Sequence, residues 1–272
     1  IRPMKKIILS LSVLCLCLTV NAKRTRAVTP DTTPVVSQLP MKLWYSSPAE
    51  RFEESLPIGN GRLGALVYGN PDHNIIHLND ITFWTGKPVD LNIDKDAHRH
   101  IPAIREALFK EDYRLADSLQ HFVQGANSQY YQPLGTLIIN DLNTGETTNY
   151  YRELNIDSAI CRDRYTRGDV TVTREYFASH PDKVIAIRLK ASKPGALHCS
   201  LMLNSQVQHG VKVSDRQITM TGNALGDPSE TIHFCTVLRV KHAGGSVDKT
   251  DSTLILNGVT EAAIYIVNQT SF

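Results

Sequence analysis

The sequence is poor in cysteine, in tryptophan and in charge of either sign, and each shortage narrows what the chain can be. Five cysteines and two tryptophans occur among 272 residues. Cys15 and Cys17 fall inside an N-terminal apolar run, which leaves Cys161, Cys199 and Cys235, too widely spaced for a disulfide scaffold. Cys199 and Cys235 both lie in apolar, strand-like runs; they pair if their strands adjoin and otherwise stay as buried free thiols. No CxxC or His/Cys ligand spacing suits zinc, no HExxH or GxSxG motif occurs, and the ten histidines are scattered. Gly59, Gly61 and Gly64 spell GxGxxG, but without the strand before and helix after that a dinucleotide fingerprint needs. No metal and no cofactor is expected.

Charge is nearly balanced, with 29 basic against 27 acidic residues. Lys5 and Lys6 precede the apolar run Ile7 to Val20, which is too short to span a bilayer and ends in Val20-Asn21-Ala22. This is the pattern of a secretory signal peptide over residues 1–22, cleaved after Ala22. Ile1-Arg2-Pro3 ahead of Met4 is an unusual start and points either to Met4 as the initiator or to a reading frame taken from a fragment. Loss of Arg2, Lys5 and Lys6 leaves 26 basic residues against 27 acidic, a net charge of −1. A neutral chain argues against nucleic acid or an anionic membrane as partner and suits an uncharged one such as a sugar. The expected location is secreted or periplasmic.

Residues 23–40, KRTRAVTPDTTPVVSQLP, have no apolar period and read as a linker. Order is expected from Met41. Leu63–Tyr68 and Asn74–Leu78 read as buried strands joined through Gly69-Asn70-Pro71-Asp72, with a sharp bend before them at Gly59-Asn60-Gly61. The period turns helical over residues 96–124, with Ile101, Ile104 and Leu108 on one face and Leu115, Leu119 and Phe122 on another. Pro102 fits a first turn, Asp112 a cap for a second helix and Gly125 its stop. After Pro133 nine strands are predicted: Thr136–Leu142, Tyr151–Cys161, Val170–Ala178, Val184–Lys190, Leu197–Leu203, Lys212–Met220, Ile232–Val240, Thr253–Leu256 and Ala262–Asn268. The fold class is all-β, a large antiparallel β-sandwich over residues 41–272 with a short two-helix insertion.

Glycoside hydrolysis needs two carboxyl groups flanking the scissile bond. The acidic candidates Glu50, Glu53 and Glu54 read as solvated surface, and Asp80 as a turn or strand-capping residue. What remains is the cluster Asn60, Arg62, Asn79 and Trp84, residue types that hydrogen-bond to sugars and stack on them. Each has a structural alternative: Arg62 bracing the turn through carbonyls, Asn60 chosen for its backbone conformation, Trp84 as core or interface packing.

The segment Leu56-Pro57-Ile58-Gly59-Asn60-Gly61-Arg62-Leu63-Gly64-Ala65, then Leu78-Asn79-Asp80 and Trp84-Thr85-Gly86, resembles the N-terminal domain of glycoside hydrolase family 95, the α-L-fucosidases. Gln132-Pro133-Leu134-Gly135, Tyr150 to Leu154, Thr173 to Asp182 and Thr260 to Phe272 are similar to the same domain, in order. The resemblance implies a large β-sandwich (supersandwich) followed by a linker, a catalytic (α/α)6 barrel and a small β domain. It implies inverting hydrolysis of terminal α-L-fucosyl linkages in a glycan bound through the barrel, by a glutamic acid and by asparagines that activate water. None of those motifs has a counterpart here, so no catalytic residue is assigned, and Asn60, Arg62 and Trp84 stand as candidates for a substrate rim or domain interface. The chain alone, ending on an apolar strand before such a barrel, is expected to be inactive. Two rivals are a free-standing carbohydrate-binding module with Trp44 or Trp84 as its platform, and the N-terminal domain of a related sandwich-plus-barrel phosphorylase or glucosidase.

Overall fold

A computed structural model describes residues 41–86, 94–125 and 129–272. The expected signal peptide and linker lie outside these residues. The first strands in chain order are β1 (Lys42–Tyr45), β2 (Leu56–Gly59), β3 (Leu63–Val67) and β4 (His73–Asp80). Helices α1 (Ile101–Phe109) and α2 (Tyr113–Gln120) follow, then β5 (Gly135–Asp141), β6 (Thr147–Asn155), β7 (Ile160–Arg167), β8 (Val170–Ser179) and β9 (Val184–Ala191). The remaining strands are β10 (Leu197–Asn204), β11 (His209–Ser214), β12 (Gln217–Asn223), β13 (His233–Ala243), β14 (Ser246–Lys249), β15 (Thr253–Val259) and β16 (Glu261–Thr270). They form a nine-stranded sheet, β1-β6-β7-β8-β9-β16-β13-β12-β11, and a seven-stranded sheet, β14-β15-β10-β5-β4-β3-β2.

Alternation in the sequence explains why the two sheets face each other. In β3, Leu63, Ala65 and Val67 point inward, and in β16 Ala262, Ile264 and Ile266 do the same. Residues of this kind from both sheets merge into one hydrophobic core. Phe83 and Phe234 meet edge to face within it, 5.0 Å between ring centres. The outer face of the nine-stranded sheet is a ladder of alternating charge: Arg162 bridges Glu153 (3.6 Å) and Glu175 (2.5 Å), and Arg188 bridges Glu175 (3.4 Å) and Glu261 (2.8 Å).

The sandwich and the helical pair match the sequence reading, including Asp112, whose side chain accepts a hydrogen bond from the Leu115 amide at 3.0 Å and caps α2. Three details need correction. Residues 151–161, read as one strand, are the meeting of β6 and β7 across a turn at Ile156–Ala159; residues 212–220 likewise split into β11 and β12 across Asp215-Arg216. Both turns place an ordinary residue at positive φ, Ala159 at 54° and Arg216 at 57°, and neither contains the glycine or proline that marks a turn in sequence. With β14 added, twelve strands rather than nine follow Pro133. In the two helices Leu108, Leu115 and Phe122 are exposed, and only Ala107 and Ala116 are buried.

Cys199 on β10 and Cys235 on β13 belong to different sheets, so the pairing option fails, and the three described thiols are free. Burial pushes the Cys199 thiol up to about 12 and raises that of Cys161 as well, which keeps both protonated and unreactive.

At one end the two sheets are joined by polar side chains rather than apolar ones. Arg174, on β8, donates from Nε to Asp163 Oδ1 on β7 (2.6 Å) and from Nη2 to the carbonyls of Gly69 (3.0 Å) and Asn70 (2.9 Å), in the β3–β4 turn of the opposite sheet. Tyr176 donates to Asp163 Oδ2 (2.7 Å) and accepts from Asn74 (2.9 Å). Burial pushes the Asp163 carboxyl pKa upward against the pull of Arg174. Gly69 lies at φ 76°, and a Cβ there would come within 2.7 Å of the Tyr150 hydroxyl, so this turn requires glycine. Arg152 repeats the device, donating to the carbonyls of Ser47 and Glu54, each at 2.7 Å.

Candidate functional site

The sequence-predicted cluster gathers where the β2–β3 loop meets the end of β4. Asn60 Oδ1 accepts from the amides of Arg62 (3.0 Å) and Leu63 (2.8 Å), closing a tight local turn. Its Nδ2 donates to the Ser179 carbonyl (2.8 Å), at the end of β8 in the other sheet. The positive φ in this loop belongs to Gly61, at 88°. Asn60 is thus held by hydrogen bonds that bend the chain and tie the loop across the sandwich.

Arg62 turns toward Asp80 rather than toward carbonyls. Its Nε is 3.5 Å from Asp80 Oδ2 and is buried without a hydrogen bond, while the side chain is 31% exposed. Asp80 is fully buried and accepts from the Thr82 amide (3.0 Å), the Thr82 hydroxyl (2.7 Å) and Asn268 Nδ2 (2.8 Å). The turn role expected of Asp80 is present in its bonds to Thr82. The bond to Asn268, on β16 of the opposite sheet, is a further role that sequence reasoning missed. Asn268 in turn accepts from Thr236 (2.8 Å), and the Thr82 and Thr270 hydroxyls are 2.6 Å apart. Since the single Thr82 hydroxyl proton goes to Asp80, Thr270 is the donor in that last pair.

Trp84 joins the cluster through Ile81. The Ile81 amide donates to the Arg62 carbonyl (3.0 Å), and the Ile81 carbonyl accepts from Trp84 Nε1 (2.8 Å). Trp84 also forms an antiparallel bridge with Tyr131 and an edge-to-face ring contact at 6.2 Å. Its indole N–H is therefore engaged, and the ring, 37% exposed, offers a face for stacking. Trp44 lies elsewhere, on β1 at the edge of the nine-stranded sheet, stacked 6.3 Å from Tyr151.

Among the described residues the corner has no pair of carboxyls set for hydrolysis. Asp80 is hydrogen-bonded to threonine and asparagine and ion-paired with Arg62, with no bond to a second carboxyl group. Glu54 accepts from the Glu50 amide (2.9 Å) and from Arg51, capping a short 3-10 turn at Phe52–Glu54. The bond from the Glu50 amide, followed by that from Arg51, lowers its carboxyl pKa. This is a local cap of the kind expected for surface glutamates. No group of three or more His, Cys, Asp or Glu residues able to hold a metal occurs among the described residues.

Comparison with known proteins follows the fold. A family model described as the glycosyl hydrolase family 65 N-terminal domain matches residues 43–272. Among curated relatives, the chain is 32% identical over 232 residues to "Alpha-L-fucosidase 2" of Arabidopsis thaliana, covering 76% of this chain and 27% of that protein. It is 32% identical over 163 residues to "Probable alpha-fucosidase A" of Aspergillus niger, covering 55% of this chain and 20% of that protein. A solved structure described as a putative kojibiose phosphorylase from human microbiome aligns over 86% of this chain and 34% of its own, with TM-score 0.43 and 10% identity. The chain spans about a quarter of the length of the curated relatives it matches. The fucosidase relatives agree with the resemblance carried by Leu56–Ala65 and the segments after it. The ordered match and the two-sheet sandwich together place this chain in the glycosyl hydrolase family 65 N-terminal domain family.

Proposed function

We propose that this stretch is the N-terminal sandwich domain of a secreted α-L-fucosidase, which supports a catalytic barrel and shapes one edge of its substrate site. The observation that carries the reading is the 32% identity to an α-L-fucosidase over 232 residues, covering 76% of this chain. The absence of a carboxyl pair around Asp80 supports a scaffolding role, since hydrolysis of a glycosidic bond needs an acid and a base on either side of it. In this reading residues 1–22 direct export and are removed. The substrate is a terminal α-L-fucosyl group of a glycan held through the barrel, and its hydrolysis inverts the anomeric centre.

The complete gene product, assayed on 4-nitrophenyl α-L-fucoside with the first-formed sugar followed by proton NMR, is expected to release L-fucose initially as the β anomer. Release of the α anomer would remove inversion from the account. Cleavage of α-D-glucosides in place of fucosides, or cleavage only with phosphate present, would replace the fucosidase reading with a phosphorylase or glucosidase one.

A further inference from the structure

The chain contains one Asn-x-Ser/Thr triplet, Asn268-Gln269-Thr270, the acceptor sequence for N-linked glycosylation of an exported protein. Such a triplet normally marks a surface loop. Here it lies within β16, which sits between β9 and β13 in the nine-stranded sheet. Asn268 is 9% exposed and Thr270 7%, and only Gln269 between them faces solvent. Both acceptor groups are already engaged. Asn268 Nδ2, the atom that would carry the sugar, donates to Asp80 Oδ2 at 2.8 Å, and Asp80 is fully buried. Asn268 Oδ1 accepts from Thr236 at 2.8 Å, and the Thr270 hydroxyl is 2.6 Å from that of Thr82.

A sugar on Nδ2 would have to stand between β16 and Asp80 on β4 of the opposite sheet, in the space across which that hydrogen bond is made. An interior packed to native density does not admit a ring of that size. The transferring enzyme must also reach the Asn amide and the Thr hydroxyl together, and the fold presents neither, so only the unfolded chain can be modified. We propose that Asn268 is a modification site open only before folding, and that an N-glycan there and the native sandwich exclude each other. In the modifying step a bond forms between Asn268 Nδ2 and C1 of an oligosaccharide carried on a lipid diphosphate. The C1–O bond to the carrier breaks, the lipid diphosphate leaves and the amide gives up one proton. A chain so modified keeps one N–H on Nδ2 but cannot bring it to Asp80, and the Thr236–Asn268–Asp80–Thr82 tie does not close. A chain that folds first hides the triplet for as long as it stays folded. The inference turns on folding and not on turnover, so it stands or falls apart from the fucosidase reading.

Secretion from yeast, whose export route transfers such oligosaccharides, provides the test. The chain is produced with residues 1–22 replaced by a yeast secretion leader, as wild type, as Thr270→Val, which abolishes the triplet, and as Thr270→Ser, which retains it. Thr270→Val gives up the bond to Thr82 and keeps the side-chain shape. Endoglycosidase digestion followed by peptide mass spectrometry reads occupancy of Asn268 in the secreted protein and in the chain retained inside the cell. Wild type and Thr270→Ser are expected to carry the glycan in the retained fraction and none in the secreted one, and Thr270→Val should raise the secreted yield several-fold. Should Thr270→Val itself fail to fold, occupancy of the two wild-type fractions decides alone. A folded, secreted chain bearing a glycan on Asn268 overturns the proposal, as does an Asn268 left unoccupied in every fraction, or a yield that a folded Thr270→Val leaves unchanged.

Discussion

Arg174→Met is expected to lower the unfolding free energy by about 3–5 kcal/mol, because it leaves Asp163 as an uncompensated buried carboxylate. Arg174 and Asp163 are 3% and 1% exposed, and Arg174 also satisfies the carbonyls of Gly69 and Asn70. The loss is therefore felt in both sheets. Arg188→Met on the outer face, where Arg188 is 48% exposed in its ion pairs, should cost only about 0–1 kcal/mol. The double variant Asp163→Leu/Arg174→Met should recover part of the loss, since it removes the stranded charge, but not all of it, because Tyr176 and the Gly69 turn lose their partners. Urea denaturation of the four proteins gives the comparison. Equal midpoints for Arg174→Met and Arg188→Met would mean that the polar end of the sandwich is not what joins the sheets.

The second large effect is at Asp80. Asp80→Ala removes the acceptor for the Thr82 amide, the Thr82 hydroxyl and Asn268 Nδ2, and with it the charge facing Arg62. Donors left unsatisfied in a buried site cost about 1–3 kcal/mol each, partly relieved by relaxation, so a total of about 2–4 kcal/mol is expected. Asp80→Asn should recover part of this. The two Thr82 bonds both fall on Oδ1 and survive, whereas an amide nitrogen at the other position faces Asn268 Nδ2, donor against donor. A shifted urea midpoint with unchanged slope marks this as loss of native stability rather than a change in the unfolded chain. A loss below about 1 kcal/mol in Asp80→Ala would show that water replaces the carboxylate, and that the Thr236–Asn268–Asp80–Thr82 chain is not a cross-sheet tie.

Local features of the fold were legible in the sequence because they rest on local physics. Alternation fixed the inward faces of β8 and β9, the apolar run Leu63–Tyr68 marked β3, Gly69 to Asp72 marked a hairpin, and Asp112 marked a helix cap. The turns at Ala159 and Arg216 were hidden because ordinary residues occupy the left-handed conformation there. The arginines inside the sandwich were hidden for a different reason. In sequence Arg174 is one charged residue in an alternating strand; only contact with a turn 104 residues away makes its burial possible. The same holds at the candidate site. Arg62 and Trp84 both bond to Ile81, and Asn60 bonds to the Arg62 amide, contacts among near neighbours in sequence, whereas the bond from Asp80 to Asn268 spans 188 residues and leaves no trace in either local segment. The helical period was legible but the exposure of its faces was not, since an apolar period reports the capacity to be buried, and the described sandwich does not cover it at Leu108, Leu115 or Phe122.

The most direct test of the central claim, a non-catalytic supporting domain of a fucosidase, is turnover of 4-nitrophenyl α-L-fucoside by the purified 272-residue chain. Release of nitrophenol is expected to stay at the enzyme-free rate, with circular dichroism showing a folded β protein. Turnover above that blank, abolished by Asp80→Asn, would place catalysis inside the sandwich and contradict the account.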